Sequence, residues 1–257
     1  YLNKGFVDWL SKLGRPLFKR FIADPSSADG IFSDYDMPNK AVRHVAQDPG
    51  LRTGLWRSVG HSSNAFFKES FIDELAQRAG IDELQFRLAN MKNNPRLTEA
   101  TELVAAKAGW GKALPGGHFH GLATHSSFGS AVAQIAEVSV EGTKIVVHKV
   151  TAAIHCGLVV NPGIVRDAVE GGIIFGLTAA LHGEITLVDG VIQQSNFHSY
   201  PMLRMADAPK VEVHIVESQE HPEGVGEPGL PPLAPAVANA VFKASGQRLR
   251  DLPLRLT

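Results

Sequence analysis

The sequence predicts an α+β fold in which helices pack against mixed sheets. Apolar residues recur at helical spacing over residues 65–78, 82–91 and 98–108. After His118 the pattern changes to strands, with apolar runs at 132–140 and 145–154. Helical spacing returns after a stretch rich in glycine and proline at 224–232, where we expect a helix to begin near Pro235. These three observations together indicate mixed α and β architecture.

The first fifty residues differ from the rest of the chain. An apolar stripe at residues 5–13 predicts a short amphipathic helix, and irregular sequence follows it except for a strand-like run at 41–45. We therefore predict an N-terminal segment at 1–50 and a main domain at 51–257. A further division of that domain into about 51–115 and 116–257 is the alternative.

The second half alternates strands, turns and helices. Residues 141–144 form a turn that joins two strands into a hairpin, and Asp189-Gly190 marks a second hairpin within 184–193. A helix is predicted from Asn161-Pro162 to about Leu181, although it contains several glycines. Each such glycine lowers helix stability by about 1 kcal/mol relative to alanine. Glycines at these positions are therefore best explained by another part of the protein that packs closely against that helix face. A further strand is predicted at 211–216.

Composition excludes several classes of function. The formal net charge of the 257 residues is −1 and no basic tract is present, so nucleic acid binding has no support. The single cysteine, Cys156, rules out a disulfide framework, a thiolate metal cage and the ligands of an iron–sulfur cluster. No apolar run has the length of a membrane span, and no signal-peptide pattern is present. The chain begins at Tyr1 rather than Met, which suggests a fragment or a processed product.

The stretch 224–232, Gly-Val-Gly-Glu-Pro-Gly-Leu-Pro-Pro, places one carboxylate in a stiff loop before a helix. Glycines permit unusual backbone paths and prolines restrict them, so Glu227 is held by neighbours that cannot move aside. A carboxylate fixed in this way is a candidate general base. Two alternatives remain: a rigid loop with an exposed Glu227, and a dinucleotide fingerprint at Gly224-x-Gly226-x-x-Gly229.

A second candidate is the loop at 54–64, which precedes the helix at 65–78. Its glycines and free N–H groups predict an anion site at a helix N-terminus, whereas helix capping by His61 and Ser62 is the simpler interpretation. Three further histidines, His118, His120 and His125, favour hydrogen-bonded or exposed strand positions over a metal site, because no carboxylate or thiol lies nearby in sequence.

Three blocks of sequence, in order, resemble the molybdopterin-binding subunit of the molybdenum hydroxylases, the xanthine dehydrogenase and aldehyde oxidase family. The likeness is greatest to the isoquinoline 1-oxidoreductase type. The blocks are Trp56-Arg57-Ser58-Val59-Gly60-His61-Ser62, then Val160-Asn161-Pro162 with Val169-Glu170-Gly171-Gly172, and finally 224–232.

This resemblance implies a molybdopterin-binding domain of the aldehyde oxidase/xanthine dehydrogenase type, with molybdenum held by the pterin and not by side chains. It implies that Glu227 is the catalytic base and that a further set of residues binds the cofactor. That set is Arg57, Ser58, Gly60, His61, Asn161, Glu170, Gly171 and Gly226.

The same resemblance implies a molybdopterin cofactor of the cytosine dinucleotide form and oxidation of an aldehyde or N-heterocycle with oxygen from water. Electrons would pass to [2Fe-2S] clusters on a small partner subunit, with a cytochrome c as a further candidate acceptor. The family's glycine-rich cofactor motif is absent, which implies a complementary N-terminal chain that completes the pocket. By analogy we expect a periplasmic location, with a cytoplasmic one as the alternative.

Two positions depart from the family pattern. Ala168 stands where glutamine is usual and His155 where aspartate is common. These departures keep open a non-catalytic or degenerate half of such a complex. An NAD-dependent dehydrogenase that uses the Gly224 motif is the other alternative.

Overall fold

A computed structural model describes residues 25–31, 34–45, 50–51 and 54–257. The predicted helix at 5–13 lies outside these ranges. The prediction of a strand at 41–45 is wrong, because these residues pair with no strand in the described part of the chain and Val45 is 75% exposed. Strand-like composition alone does not form a strand without a partner.

The described residues form five α-helices. They are α1 (Gly60–Ala79), α2 (Glu83–Ala89), α3 (Pro95–Ala108), α4 (Pro162–Leu181) and α5 (Leu233–Ser245). All five were predicted, but α1, α3 and α5 begin earlier than expected. In α3, Pro95 occupies the first turn and Asn94 caps it by accepting from the Leu97 N–H, so the proline starts the helix.

Six strands form two sheets in the described residues. They are β1 (His118–Ser127), β2 (Ser130–Glu141), β3 (Lys144–His155), β4 (Leu187–Val188), β5 (Val191–Ile192) and β6 (Lys210–Ile215). The main sheet has the order β1-β2-β3-β6, and β4 pairs with β5 in the predicted hairpin. Only the β3–β6 pair in this sheet is parallel. The sheet is therefore mixed, as predicted, and is not the parallel sheet of a dinucleotide-binding fold.

Helices cover both faces of the main sheet. One face packs on α4 and α5 through apolar residues such as Val132, Ile154 and Val237, whereas α3 covers the other face near Ile135. Gly121 of β1 allows α5 to approach the sheet closely, because a Cβ at this position would lie 2.1 Å from the Ala236 carbonyl oxygen of α5. The core is thus a three-layer arrangement of helix, sheet and helix.

Helix α1 is tied to the edge of β1 by a buried carboxylate. Glu69 Oε2 accepts from the Thr124 backbone N–H at 2.9 Å and from Arg87 Nε at 3.0 Å. The Tyr35 hydroxyl donates to Glu69 Oε1 at 2.7 Å. Because the turn at 56–59 leads directly into α1, these bonds fix the position of that turn relative to the sheet.

Candidate active site at the Glu227 loop

Residues 56–59, called here the Arg57 turn, have an unusual backbone. The Val59 N–H donates to the Trp56 carbonyl at 2.8 Å, and Ser58 and Val59 have φ angles of 70° and 43°. A positive φ is rare for a β-branched residue and costs on the order of 1–3 kcal/mol. Such strain persists where surrounding contacts impose it, and it is frequent at functional sites.

The Glu227 loop, residues 224–232, supplies those contacts. The Ser58 N–H donates to Glu227 Oε1 at 2.8 Å, and the Ser58 hydroxyl donates to the Glu227 carbonyl oxygen at 3.0 Å. Arg57 Nε donates to the Gly226 carbonyl at 3.1 Å. Four predicted site residues, Arg57, Ser58, Gly226 and Glu227, therefore meet in one clamp. The Glu227 carboxylate is held in a single orientation and is partly buried.

Helix α4 and strand β2 support the Glu227 loop from behind. A Cβ at Gly229 would lie 2.9 Å from Val169 Cα, and a Cβ at Gly172 would lie 3.2 Å from the Gly229 carbonyl carbon. The buried Gln134 side chain donates to the Gly229 carbonyl at 2.6 Å. The close packing predicted for the glycine-bearing face of α4 is thus confirmed at Gly172.

Helix α4 also contacts the Arg57 turn. The rings of Trp56 and Phe175 lie 5.0 Å apart, and the Arg57 guanidinium lies 5.8 Å from the Phe175 ring centre, within the range of a cation–π contact. Asn161 lies at the other end of α4, where its side chain accepts from the Gly163 and Ile164 N–H groups. From Asn161 to the crossing point at Val169 is about 12 Å along the helix axis.

Besides Asn161, two predicted cofactor residues on α4, Glu170 and Gly171, are not brought to the clamp. Gly171 is exposed, and a Cβ built on it has no atom within 4 Å. It points away from Val169, because two helical residues are separated by a rotation of about 200°. Glu170 is partly buried and lies between Val169 and Gly171 in the chain. Any contact of Gly171 with a ligand must therefore occur on the outer side of α4.

Gly60 and His61 begin α1. A Cβ at Gly60 would lie 2.2 Å from the Ser26 carbonyl oxygen, so this glycine serves close packing against the segment at 26–27. His61 is partly buried, and its Nδ1 lies 2.9 Å from Nε2 of His125. Burial lowers the pKa of His61, whereas the Asp29 and Glu227 carboxylates act in the opposite direction.

The chain is similar to several known proteins. The sequence profile of the molybdopterin cofactor-binding domain matches residues 67–209. The beta subunit of isoquinoline 1-oxidoreductase from Brevundimonas diminuta is 34% identical over 253 residues, which cover 96% of this chain and 32% of that protein. A nicotinate dehydrogenase subunit from Pseudomonas putida is 31% identical over 240 residues, which cover 86% of this chain and 20% of that protein.

The chain belongs to the molybdopterin cofactor-binding domain family. The resemblance to the molybdenum hydroxylases is therefore confirmed. Aldehyde oxidoreductase from Desulfovibrio gigas has the same fold, with a TM-score of 0.68 over 95% of this chain and 44% of that one, at 14% sequence identity. The chain spans about a third of the isoquinoline 1-oxidoreductase subunit, at 32% of its length.

The clamp leaves polar groups accessible to a ligand. The clamp presents a guanidinium at Arg57 and open backbone at Gly226, where a built Cβ meets nothing within 4 Å. Among the described residues, no donor bonds to Glu227 Oε2, so one carboxylate oxygen is available to accept a proton. Trp56 is 43% exposed beside the clamp and Leu55 87%, so apolar surface also borders the site.

The two departures from the family pattern have different positions. His155 is buried at the end of β3, and its Nε2 lies 3.6 Å from the Glu99 carboxylate of α3. That is the sheet face opposite the Glu227 loop, so His155 does not alter the clamp. Ala168 precedes Val169 on α4 and is partly buried, and nothing in the structure explains the absence of a longer side chain there.

Two supporting residues were not found from sequence. Gln134 and Phe175 have no motif that marks them, since their roles depend on contacts between distant segments. His125 was expected to be a hydrogen-bonded or exposed strand histidine. It is hydrogen-bonded, but its partner His61 was not identified from sequence. Within the described ranges, no group of three or more His, Cys, Asp or Glu side chains could hold a metal, and no helix is long and apolar enough to cross a membrane.

Proposed function

We propose that this chain carries the base-bearing part of a molybdenum hydroxylase that oxidises an aldehyde or N-heterocycle with oxygen from water. The observation that carries the proposal is the Ser58 N–H bond to Glu227 Oε1 at 2.8 Å. This bond orients a carboxylate whose other oxygen is open, next to a strained turn and a cation. An oriented carboxylate with an open oxygen is what general base catalysis needs, since the base must meet its proton within hydrogen-bond reach.

Each residue of the clamp has a distinct role in this proposal. Glu227 accepts a proton at Oε2 while Ser58 holds Oε1. Arg57 fixes the loop backbone through the Gly226 carbonyl and offers its remaining N–H groups to anionic oxygen atoms of the ligand. Trp56 and Phe175 place apolar surface on one side of the clamp. These groups keep the base in place before the ligand arrives, so little reorganisation is needed.

A molybdopterin cofactor, when bound, supplies the oxidation chemistry that no side chain in the clamp can provide. Arg57, Ser58, Gly226 and His61 would hold it near Glu227. A part of the cofactor more distant from Glu227 would face Asn161 and the outer side of α4 at Glu170 and Gly171. The separation of about 12 Å along α4 suits an extended group, such as the cytosine dinucleotide form that we propose.

The proposal also includes partner chains. Both relatives are named as subunits, and this chain covers 32% and 20% of their lengths. We propose a complementary molybdopterin-binding polypeptide that completes the pocket and a small [2Fe-2S] subunit that takes the electrons. A cytochrome c is a further proposed acceptor.

Replacement of Glu227 by Gln in the assembled complex tests the base. Glutamine keeps the shape and the acceptor for the Ser58 N–H, but it cannot take a proton. We expect kcat to fall by about 10²–10⁴-fold, with molybdenum content unchanged. Glu217→Gln, an exposed glutamate ahead of the same loop, is the matched control and should retain full activity.

Two outcomes would contradict the proposal. Normal turnover in Glu227→Gln would remove Glu227 from the reaction. Absence of molybdenum from the wild-type complex, measured by metal analysis, would instead favour a degenerate half that binds its partner without chemistry.

A further inference from the structure

A series of hydrogen bonds behind the Glu227 loop joins a buried ion pair to His61. The Lys68 ammonium pairs with the Asp34 carboxylate and donates to His125 Nδ1 at 3.0 Å. His125 Nε2 lies 2.9 Å from His61 Nδ1. The His125 side chain is fully buried, and those of Lys68 and Asp34 are 8% and 4% exposed. None of these residues except His61 has a role in the function proposed above.

The donors and acceptors in this series allow one arrangement of protons. The Lys68 ammonium only donates, and it lies 3.0 Å from His125 Nδ1, whereas the Asp34 carboxylate lies 3.6 Å away, so His125 Nδ1 accepts from Lys68. A neutral imidazole whose Nδ1 accepts carries its proton on Nε2, and His125 therefore donates to His61 Nδ1. Because His61 Nδ1 accepts, the proton of His61 lies on Nε2. A proton added to His61 Nδ1 would require an anionic His125 ring, so the series also opposes the imidazolium form of His61.

The charges around both rings agree with neutral forms. Burial holds the pKa of His125 well below its usual value, and Lys68 and His61 act in the same direction. For His61, burial lowers the pKa and Lys68 adds to this, while Asp29, Asp34 and Glu227 oppose it.

Gly30 closes over the bond between the two rings. A Cβ on Gly30 would lie 2.5 Å from His61 Nδ1 and 2.6 Å from His125 Nε2. Its φ of 80° is also unfavourable for other residues. The backbone at Gly30 therefore leaves no room for a water molecule to replace either partner on that side.

His61 also borders a small pocket. His61 lines a pocket of about 320 Å³ together with Arg96, Ser127 and Phe128. The Ser127 hydroxyl is buried and has no hydrogen-bond partner among the described residues. The Gly224 N–H donates to the Phe128 carbonyl at 3.1 Å, so the wall of this pocket is joined to the start of the Glu227 loop.

We propose that Lys68 and His125 are positioning residues that hold His61 in a single neutral tautomer, with Nε2–H directed to an acceptor oxygen of the bound ligand. The ligand contact rests on the function proposed above, whereas the tautomer does not. A fixed N–H donor recognises a carbonyl, hydroxyl or phosphate oxygen and rejects a cation. His61 follows Ser58 by three residues, so the donor and the base are held by the same short segment.

Nitrogen NMR of the full chain with ¹⁵N-labelled histidine tests the tautomer directly. At pH 7.5 we expect both rings to show a protonated Nε2 and an unprotonated Nδ1. The His61→Gln and His125→Gln variants assign the signals. A proton on Nδ1 of either ring, or an imidazolium signal from His61 at neutral pH, would overturn the proposal.

Variants of Lys68 test its role. Lys68→Met removes the donor to His125 Nδ1, so both rings should show mixed tautomers, whereas Lys68→Arg should keep the wild-type form. Lys112→Met, at an exposed site, is the control and should change nothing. A wild-type histidine spectrum in folded Lys68→Met would show that the lysine is only structural. If Lys68→Met does not fold, the wild-type and Lys68→Arg spectra test the role of Lys68. A tautomer in Lys68→Arg that differs from the wild-type form would contradict it.

The ligand contact is tested in the molybdenum-loaded complex. The His61 Nε2 proton signal should move on loading while that of His125 stays, and an unmoved His61 signal would refute the contact. Lack of molybdenum would refute the proposed function but leave the tautomer result intact. A wrong tautomer in a fully active enzyme would refute the tautomer proposal but leave the proposed function intact.

Discussion

The buried Glu69 network gives a quantitative prediction for Glu69→Gln. Glu69 accepts from Tyr35, Arg87 and the Thr124 N–H, and Arg87 is fully buried. A glutamine can keep its carbonyl oxygen toward Arg87 and Thr124 and its amide toward Tyr35, so the change removes charge and little else. Breaking a buried ion pair costs about 3–5 kcal/mol. Because Asp73 remains 3.8 Å from Arg87, we expect a loss of about 3 kcal/mol.

Urea denaturation followed by circular dichroism measures this loss. With an m-value of about 2 kcal/mol/M, the midpoint should fall by about 1.5 M. The double variant Glu69→Gln/Arg87→Met should lose less than the sum of the single losses, since it leaves no unpaired guanidinium. The exposed pair Arg250–Glu74 is the control, and breaking it should cost under about 1 kcal/mol. A loss below about 0.5 kcal/mol in Glu69→Gln would refute the reasoning.

Three further predictions concern the site and its support. Gly171→Ala should stabilise the chain by about 0.5–1 kcal/mol through helix propensity. Gly172→Ala should not, because its Cβ meets the Gly229 backbone at 3.2 Å; thermal unfolding of the two variants compares them. Ser58→Ala should cost about 1 kcal/mol, since the Glu227 carbonyl loses a donor, and equal stability by denaturation would contradict this. Burial lowers the pKa of His125, so only the unfolded chain takes up this proton as pH falls below about 6.5. Stability present above that pH is then lost on acidification by up to about 1.4 kcal/mol per pH unit, and His125→Leu should show a shallower slope.

Sequence patterns predicted the elements better than their contacts. The helices at 65–78, 82–91 and 98–108 and the hairpin at 132–154 follow from apolar periodicity, which is a local property. The start of α1 was placed five residues late, because Ser58 and Val59 have positive φ angles that no composition signal marks. The run at 41–45 has strand-like residues, but no strand in the described part of the chain lies beside it.

The same distinction holds for the site. Glu227 and its rigid loop could be predicted because glycine and proline restrict the backbone locally. The role of Ser58 as the anchor of Glu227 could not, since the two are joined only by tertiary structure. Lys68, far from His125 in sequence, carries no motif either, and only the fold shows that the two side chains meet.

Helix α4 also limits how this part of the chain can change in evolution. Its contact with Gly229 favours glycine at position 172, where a Cβ would lie 3.2 Å from the Gly229 carbonyl carbon, and the next residue is the bulky Ile173. Sliding the helix by one residue would turn its surface by about 100° and place a large side chain against the loop. Insertions and deletions should therefore be excluded from α4 itself. They should be tolerated in the exposed β4–β5 hairpin that follows it, where Val191 is 62% exposed.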